Sequence, residues 1–243
     1  VEKDNGLSLV TEKNFESNLV VTVGDIWFSK GFELHSGNTR IVTTGGVKVS
    51  TLLYADWNVV VTGGYLLRAE MGMSATNVVF DHAYVDIKGK DGIANVMAGT
   101  GLYAESVSLK NGSSVTIVGG KGADAAANGG GGGTGGFGVD CFLGGFLIED
   151  GCVGNIYGGD AGKGGRGSDG SGIGNSANGK KGGRGGDGGV GVRYGTVFAN
   201  NAQSGFVIRG GKGGEGGDGG KGNWLGSDGA KGDKGSDGLA YAR

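Results

Sequence analysis

Short apolar runs separated by Gly, Asn or Asp set the pattern of the first 118 residues: Leu19–Val23 (LVVTV), Val47–Ser50, Asn58–Thr62 (NVVVT), Val78–Phe80 and Tyr84–Lys88. They are rich in β-branched residues and no stretch keeps a helical period, so the pattern predicts short strands. Thr44-Gly45-Gly46 recurs as Thr62-Gly63-Gly64, a spacing of 18 residues. That spacing suits one coil of a β-solenoid, with a sandwich as the alternative for this half.

The repeat sharpens after residue 100. Gly101-Leu102, Gly138-Val139, Gly191-Val192 and Gly238-Leu239 each start a unit, and Gly-Gly pairs at 119, 158 and 210 follow the first three starts after 18, 20 and 19 residues. From each pair to the next start the gaps are 19, 33 and 28 residues. A fixed coil carrying the apolar residues (Val107, Leu109, Val115 and Ile117 in the first unit) thus alternates with a variable insertion. The expectation is an all-β chain: a β-rich solenoid or sandwich over 1–118, then β coils with glycine-rich insertions over 119–243.

Glycine keeps a three-residue register inside the insertions. It occupies 211, 214, 217, 220, 226, 229, 232, 235 and 238, failing in that series only at Asn223. Three residues is the period of a polyproline II type helix, which has no internal hydrogen bonds and must pair its backbone with neighbours. The insertions therefore read as polyglycine II hairpins packed as a bundle. Residues 210–222 (GGKGGEGGDGGKG) hold two glycines per triplet and should lie between neighbours, with Lys212, Glu215, Asp218 and Lys221 in one solvent row. Residues 226–238 (GSDGAKGDKGSDG) hold one and should lie at an edge. Each insertion is interrupted by a non-glycine tip: Ala123–Asn128 with Asp124 and Asn128, Ile173–Asn178 with Asn175 between, and Asn223, Trp224 and Leu225.

Composition narrows what those runs can be. With 62 glycines and no proline, collagen is disfavoured. GGRGSD at 164–169, GGRGGD at 182–187 and GGEGGD at 213–218 match the opening of calcium-binding nonapeptide rolls. The apolar residue that builds such a roll is replaced by Ser171, Gly189 and Gly220, so no metal site is expected. A net charge of −2, from 22 basic and 24 acidic residues mixed along the chain, gives no footprint for nucleic acid. No apolar run reaches the ~20 residues of a membrane span, and no signal peptide is visible. A chain opening on Val1 reads as a processed product or a piece of something longer.

Glycine-rich runs separated by short non-glycine tips resemble the distal tail-fibre adhesins of T-even-like bacteriophages, over about residues 119–238. The resemblance implies polyglycine II helices packed in layers, with variable tips touching an outer-membrane receptor. By position, those tips correspond to 123–128, 173–178 and 223–225. The strands between the runs, and the Lys, Arg, Asp and Glu at third positions, depart from that family. They resemble equally the repeat regions of bacterial cell-surface proteins.

Enzymatic chemistry has one candidate, the strand FDHAYVDIK at 80–88, whose alternation puts His82, Tyr84, Asp86 and Lys88 on one face. Any solvated strand face looks the same, and nothing else converges on it, so no catalytic residue and no cofactor is expected. His35 reads as a loop residue, and Trp27 and Trp57 as strand residues. For Cys141 and Cys152 a short-loop disulfide and two buried thiols both stay open. Trp224, in a three-residue tip between glycine runs, is the most informative side chain: a receptor contact, or a cap folded back on the bundle or a neighbouring subunit. The expected function is a non-enzymatic extracellular adhesin or receptor-binding module, on a cell surface or virion. Its partner would be a protein or glycan receptor, and the chain would be a homo-oligomer or part of a fibre. The alternatives are a subunit of an extracellular filament or surface layer, and a carbohydrate-active β-helix enzyme.

Overall fold

The computed structural model describes residues 72–93, 97–126, 128–202 and 205–243, and before residue 72 the backbone of nine short strands from Glu2–Lys3 to Leu66–Ala69. Leu19–Val23, His35, Trp57 and most of the two Thr-Gly-Gly copies lie outside the described residues, and of Trp27 only the strand backbone, Asp25–Phe28, is described.

The strands form two sheets, of nine and eleven strands. In the first, Leu66–Ala69, Tyr84–Lys88, Ser114–Val118, Val153–Tyr157 and Phe206–Arg209 lie side by side in chain order. In the second, Leu53–Ala55, Met73–Asp81, Leu102–Lys110, Val139–Cys141, Val192–Tyr194 and Tyr241–Ala242 do the same. Every described pairing is parallel except that of Glu2–Lys3 with Gly6–Leu9. This corrects the expected fold class. The repeat predicts an all-β solenoid with hairpins packed as a bundle. The strands lie instead in two open parallel sheets, an α/β-type open-sheet arrangement, here with no α-helix among the described residues. The physical reason is that a repeat length fixes how far apart in sequence like residues recur, while sheet type depends on which distant strands meet.

Register puts like on like. Ile87, Ile117, Ile156 and Ile208 occupy one ladder row, the first three fully buried. Val78, Val107, Phe146 and Phe198 occupy another, where Phe146 and Phe198 stack with ring centroids 6.0 Å apart. Leu102–Lys110 buries Leu102 and Ala104, then Val107 and Leu109, an alternation that shifts phase by one residue at Glu105-Ser106. Fully burying each such side chain contributes about 1.5–3 kcal/mol. The unit-opening glycines have a steric cause here. A Cβ on Gly101 or Gly138 would stand 2.6 Å from the carbonyl oxygen of the next unit's glycine and 2.8 Å from an Ile methyl.

Between strands the chain leaves the sheets after Val118, Tyr157 and Arg209 and returns at Gly138, Gly191 and Ala240, two residues beyond the Gly238 start that the sequence suggests. Each excursion has an outgoing limb (119–125, 158–170, 210–222) and a returning limb (132–138, 179–191, 226–238). Neither carries strand or helix, apart from the 3-10 turn Gly174–Ala177 at the second tip. The three-residue register of the glycines is the period of their hydrogen bonds. Gly158, Ala161, Gly164, Gly167 and Gly170 donate to the carbonyls of Arg209, Lys212, Glu215, Asp218 and Lys221, at 2.7–2.9 Å. Gly159, Gly162 and Gly165 donate the other way, to Gly136, Gly133 and Gly130. Returning limbs repeat the scheme, with Gly179, Gly182, Gly185 and Gly188 donating to Ser227, Ala230, Asp233 and Ser236. In the second insertion two amides of most triplets thus find a backbone partner, which is how a segment without internal hydrogen bonds can be buried. The approach leaves no room for side chains: a Cβ on Gly185 would lie 1.8 Å from Gly214 O, and one on Gly186 2.0 Å from Gly133 O.

Candidate functional site

The third residue of each triplet points outward, and its amide has no neighbouring backbone to meet. Short carboxylates fill that gap. Asp91 accepts from the amide of Lys121, Asp124 from Lys163, Asp160 from Lys212 and Asp169 from Lys221, at 2.7–2.9 Å. Asp187 and Asn178 do the same for Ser236 and Ser227. Each such residue therefore stitches one limb to the next. The Lys221 amide, then the Arg166 guanidinium, hold the Asp169 carboxyl below the usual range. At Asp187 the order is Arg184, then the Ser236 amide. Lys163 and Asp218, and Lys181 and Asp233, add ion pairs between limbs at 3.8 and 2.8 Å. The carboxylates of the calcium-roll look-alikes, Asp169, Asp187 and Asp218, are thus engaged by cations of the chain itself. Among the described residues no group of three or more His, Cys, Asp or Glu comes together as a metal site.

The tips are less uniform than their sequence suggests. Those of the second and third insertions meet. The Asn223 amide donates to Ala177 O at 2.8 Å and its side-chain nitrogen to Gly172 O at 2.6 Å, while Asn223 Oδ1 accepts from the Leu225 amide at 3.0 Å. Ala177 is buried beneath them, and Gly174 takes the left-handed conformation (φ +67°) that lets the tip turn. This frame leaves three apolar side chains in solvent: Trp224 at 87 % exposure, Ile173 at 85 % and Leu225 at 53 %. Asn175 and Asn178 are exposed on the same tip, and Asn178 is occupied by its bond to Ser227. Trp224 does not fold back on its own bundle.

The first tip stands apart. The Gly129 amide donates to Arg166 O, which sets the turn carrying Asp124 and Asn128 seven residues before Ile173 along the neighbouring limb. At ~3.1 Å per residue that is a step of about 20 Å. Asp124, moreover, is tied to the Lys163 amide. The insertion lengths were the signal for this, since the first excursion is much the shortest.

The segment expected as one strand over 80–88 is two: Met73–Asp81 ends in the eleven-stranded sheet, His82 turns in the left-handed region (φ +49°), and Tyr84–Lys88 belongs to the nine-stranded sheet, with Val85 and Ile87 buried and Tyr84 and Lys88 exposed. Its neighbours supply no second carboxylate: Asp86 stands in register with Arg68 and Thr116, and His82 Nδ1 lies 3.3 Å from Asn111 O. Where the nine-stranded sheet passes into the glycine limbs, an open groove of about 510 Å³ is lined by Lys88, Asp91, Lys121, Tyr157, Arg209 and Lys212. In it Lys88 pairs with Asp91 at 3.1 Å, and the Tyr157 hydroxyl donates to Asn155 Oδ1.

Cys141 and Cys152 are both free and buried. Burial, with Asp140 adding to it, pushes the Cys141 thiol up to about 12, and Cys141 Sγ lies 3.3 Å from Arg193 O. Arg193 closes over buried Asp140 and lies between the rings of Phe137 and Phe142, 4.4 and 5.0 Å from their centroids. Sequence reasoning missed this cluster because Arg193 stands more than 50 residues from the other members and meets them only by register. Among the described residues no helix is long and apolar enough to cross a membrane. No protein-family model, curated protein or solved structure matches the chain.

Proposed function

We propose that the chain is a non-enzymatic binding module of an extracellular surface, whether cell or virion, and that it engages a protein or glycan receptor through the joined tips of its second and third insertions. One observation carries this reading: Trp224, Ile173 and Leu225 stand in solvent on two tips held by four hydrogen bonds donated from Asn223, Leu225 and Ser227. Leaving such side chains in water gives up the gain of burying them, and aromatic residues on pre-ordered protrusions make effective contact points because little entropy is lost when they bind. Asp124 and Asn128 belong to a separate step of the surface, so the receptor surface is narrower than three tips.

The test is Trp224→Ala, measured as binding to host cells or to a glycan panel alongside thermal unfolding. The expected result is at least a tenfold loss of binding, since truncating a contact of this kind costs about 2 kcal/mol or more, with the unfolding temperature unchanged. Unchanged binding with unchanged stability would remove the tip from the account. No observation favours a carbohydrate-active enzyme: the ladder neighbours of Asp86 are Arg68 and Thr116.

A further inference from the structure

The last returning limb, 226–238, differs from the two before it at one set of positions. In every returning limb one glycine series packs against the limb that precedes it: Gly183, Gly186 and Gly189 against Gly130, Gly133 and Gly136, then Gly232, Gly235 and Gly238 against Gly183, Gly186 and Gly189. The residue before each of these is the one that receives the next outgoing limb. In the first limb it is Gly132 and Gly135, whose Cβ positions lie 2.1 and 1.8 Å from Gly162 O and Gly159 O. In the second it is Gly179, Gly182, Gly185 and Gly188, at 1.8–2.1 Å from the carbonyl oxygens of Gly220, Gly217, Gly214 and Gly211. In the third it is Asp228, Lys231, Lys234 and Asp237, all exposed. Side chains stand where the packing of both earlier layers tolerates not even a Cβ.

The amides tell the same story from the other side. Ala161 and Gly170 donate to backbone carbonyls of the next outgoing limb, those of Lys212 and Lys221. Their counterparts one layer on, Gly213 and Gly222, donate instead to the carboxylates of Asp237 and Asp228, each at 2.8 Å. Lys234 pairs with Asp237 at 3.2 Å, and Lys231 with Glu215 at 3.6 Å. The two carboxylates take the place of the missing carbonyls, and the two lysines hold a positive row between them.

We propose that this face is the built end of the glycine array: a surface closed to any further glycine limb, from this chain or from a second copy. Assembly into a larger fibre then proceeds through another surface, and the glycine array does not polymerise by adding layers. The seal is the same device by which exposed sheet edges are blunted with charge against unwanted pairing, applied to a three-residue backbone.

Restoring glycine tests it. The variant Asp228→Gly, Lys231→Gly, Lys234→Gly, Asp237→Gly is compared with the unchanged protein by sedimentation over a hundredfold range of concentration. The expected result is a concentration-dependent rise in mass of the variant above that of the unchanged protein. Equal masses for two proteins with the same circular dichroism spectrum would overturn the proposal, as would lysine crosslinks joining Lys231 or Lys234 of one unchanged copy to the glycine limbs of another. Because the variant also loses two caps, a second arm places the seal one layer earlier. Gly182→Lys with Gly185→Lys should expel the third outgoing limb and speed amide exchange at Gly211, Gly214, Gly217 and Gly220 at least a hundredfold. Unchanged exchange there would show that side chains at these positions do not exclude a limb, and the proposal would fail.

Discussion

The strands and the glycine limbs are one stack of layers built on two different principles. In the strand region Ile87, Ile117, Ile156 and Ile208 lie one above another, and the row is held by apolar surface withdrawn from water. Immediately beyond each strand end, at Gly89, Gly119, Gly158 and Gly210, the same layers continue as glycine, with few apolar side chains to bury. There the cohesion is backbone hydrogen bonding in two directions, with Asp and Asn side chains closing the third. The strand region tolerates side chains and needs them large. The glycine region needs them absent where limbs meet, and on its outward face carries long charged side chains beside the Asp and Asn residues that reach a neighbouring amide. The apolar region meets the entropy cost of ordering its chain by burial, the glycine region by a dense backbone lattice in register with the sheets.

That contrast predicts opposite responses to adding and removing a methyl group. Gly186→Ala, which would bring a Cβ within 2.0 Å of Gly133 O, should cost about 4 kcal/mol or more. It should appear in chemical denaturation as early loss of the glycine region ahead of the strands. Ile117→Ala, which empties part of a fully buried row, should cost about 3 kcal/mol and lower the main transition. If the alanine at 186 is neutral, the limbs do not pack as described.

Acid separates the regions more gently. Asp169, Asp187, Asp233 and Asp237 all have carboxyls held below their usual range: Asp169 first by the Lys221 amide, Asp187 by Arg184, Asp233 by Lys181 and Asp237 by the Gly213 amide. A folded-state value lower than the unfolded one stabilises above the unfolded value, about 4 for Asp, and the stabilisation fades as pH falls through the lower folded value. Between pH 7 and about 4 stability should be flat on this account. Below about 4 the glycine limbs should loosen while the strand core persists, seen as faster amide exchange at Gly213, Lys221 and Ser236 before any loss of signal from Ile117 or Ile156. All four carboxylates are exposed, so the effect is the smallest of the set.

Particular residues explain what could be read from the chain beforehand. Gly101, Gly138 and Gly191 announce the layers because nothing larger fits against the next layer's carbonyl, and the spacing of Gly211, Gly214, Gly217 and Gly220 states a hydrogen-bond period outright. The doubling of glycines in 210–222 against the single glycines of 226–238 marks which limb has neighbours on both glycine faces. Sheet type was not legible, because parallel pairing joins residues 18 to 53 positions apart and local alternation says nothing about distant partners. The pairing of Asp91 with Lys121, or of Asp160 with Lys212, was not legible either: both look like solvated charges until the register brings them together. At the tips, Trp224 and Ile173 were found from the interruptions in glycine, while the separation of Asp124 and Asn128 from them follows from insertion length.

The central claim is that the glycine limbs form an ordered hydrogen-bonded lattice that holds the Trp224 tip in place. Residue-resolved amide exchange in the native protein addresses it most directly. The account predicts that amides of Gly158–Gly170 and Gly179–Gly191 are protected to a degree comparable with Tyr84–Lys88 and Ser114–Val118, in a three-residue rhythm whose bonded members are the slowest. Exchange across the limbs at the rate of an unstructured chain, with the strands protected, would contradict it.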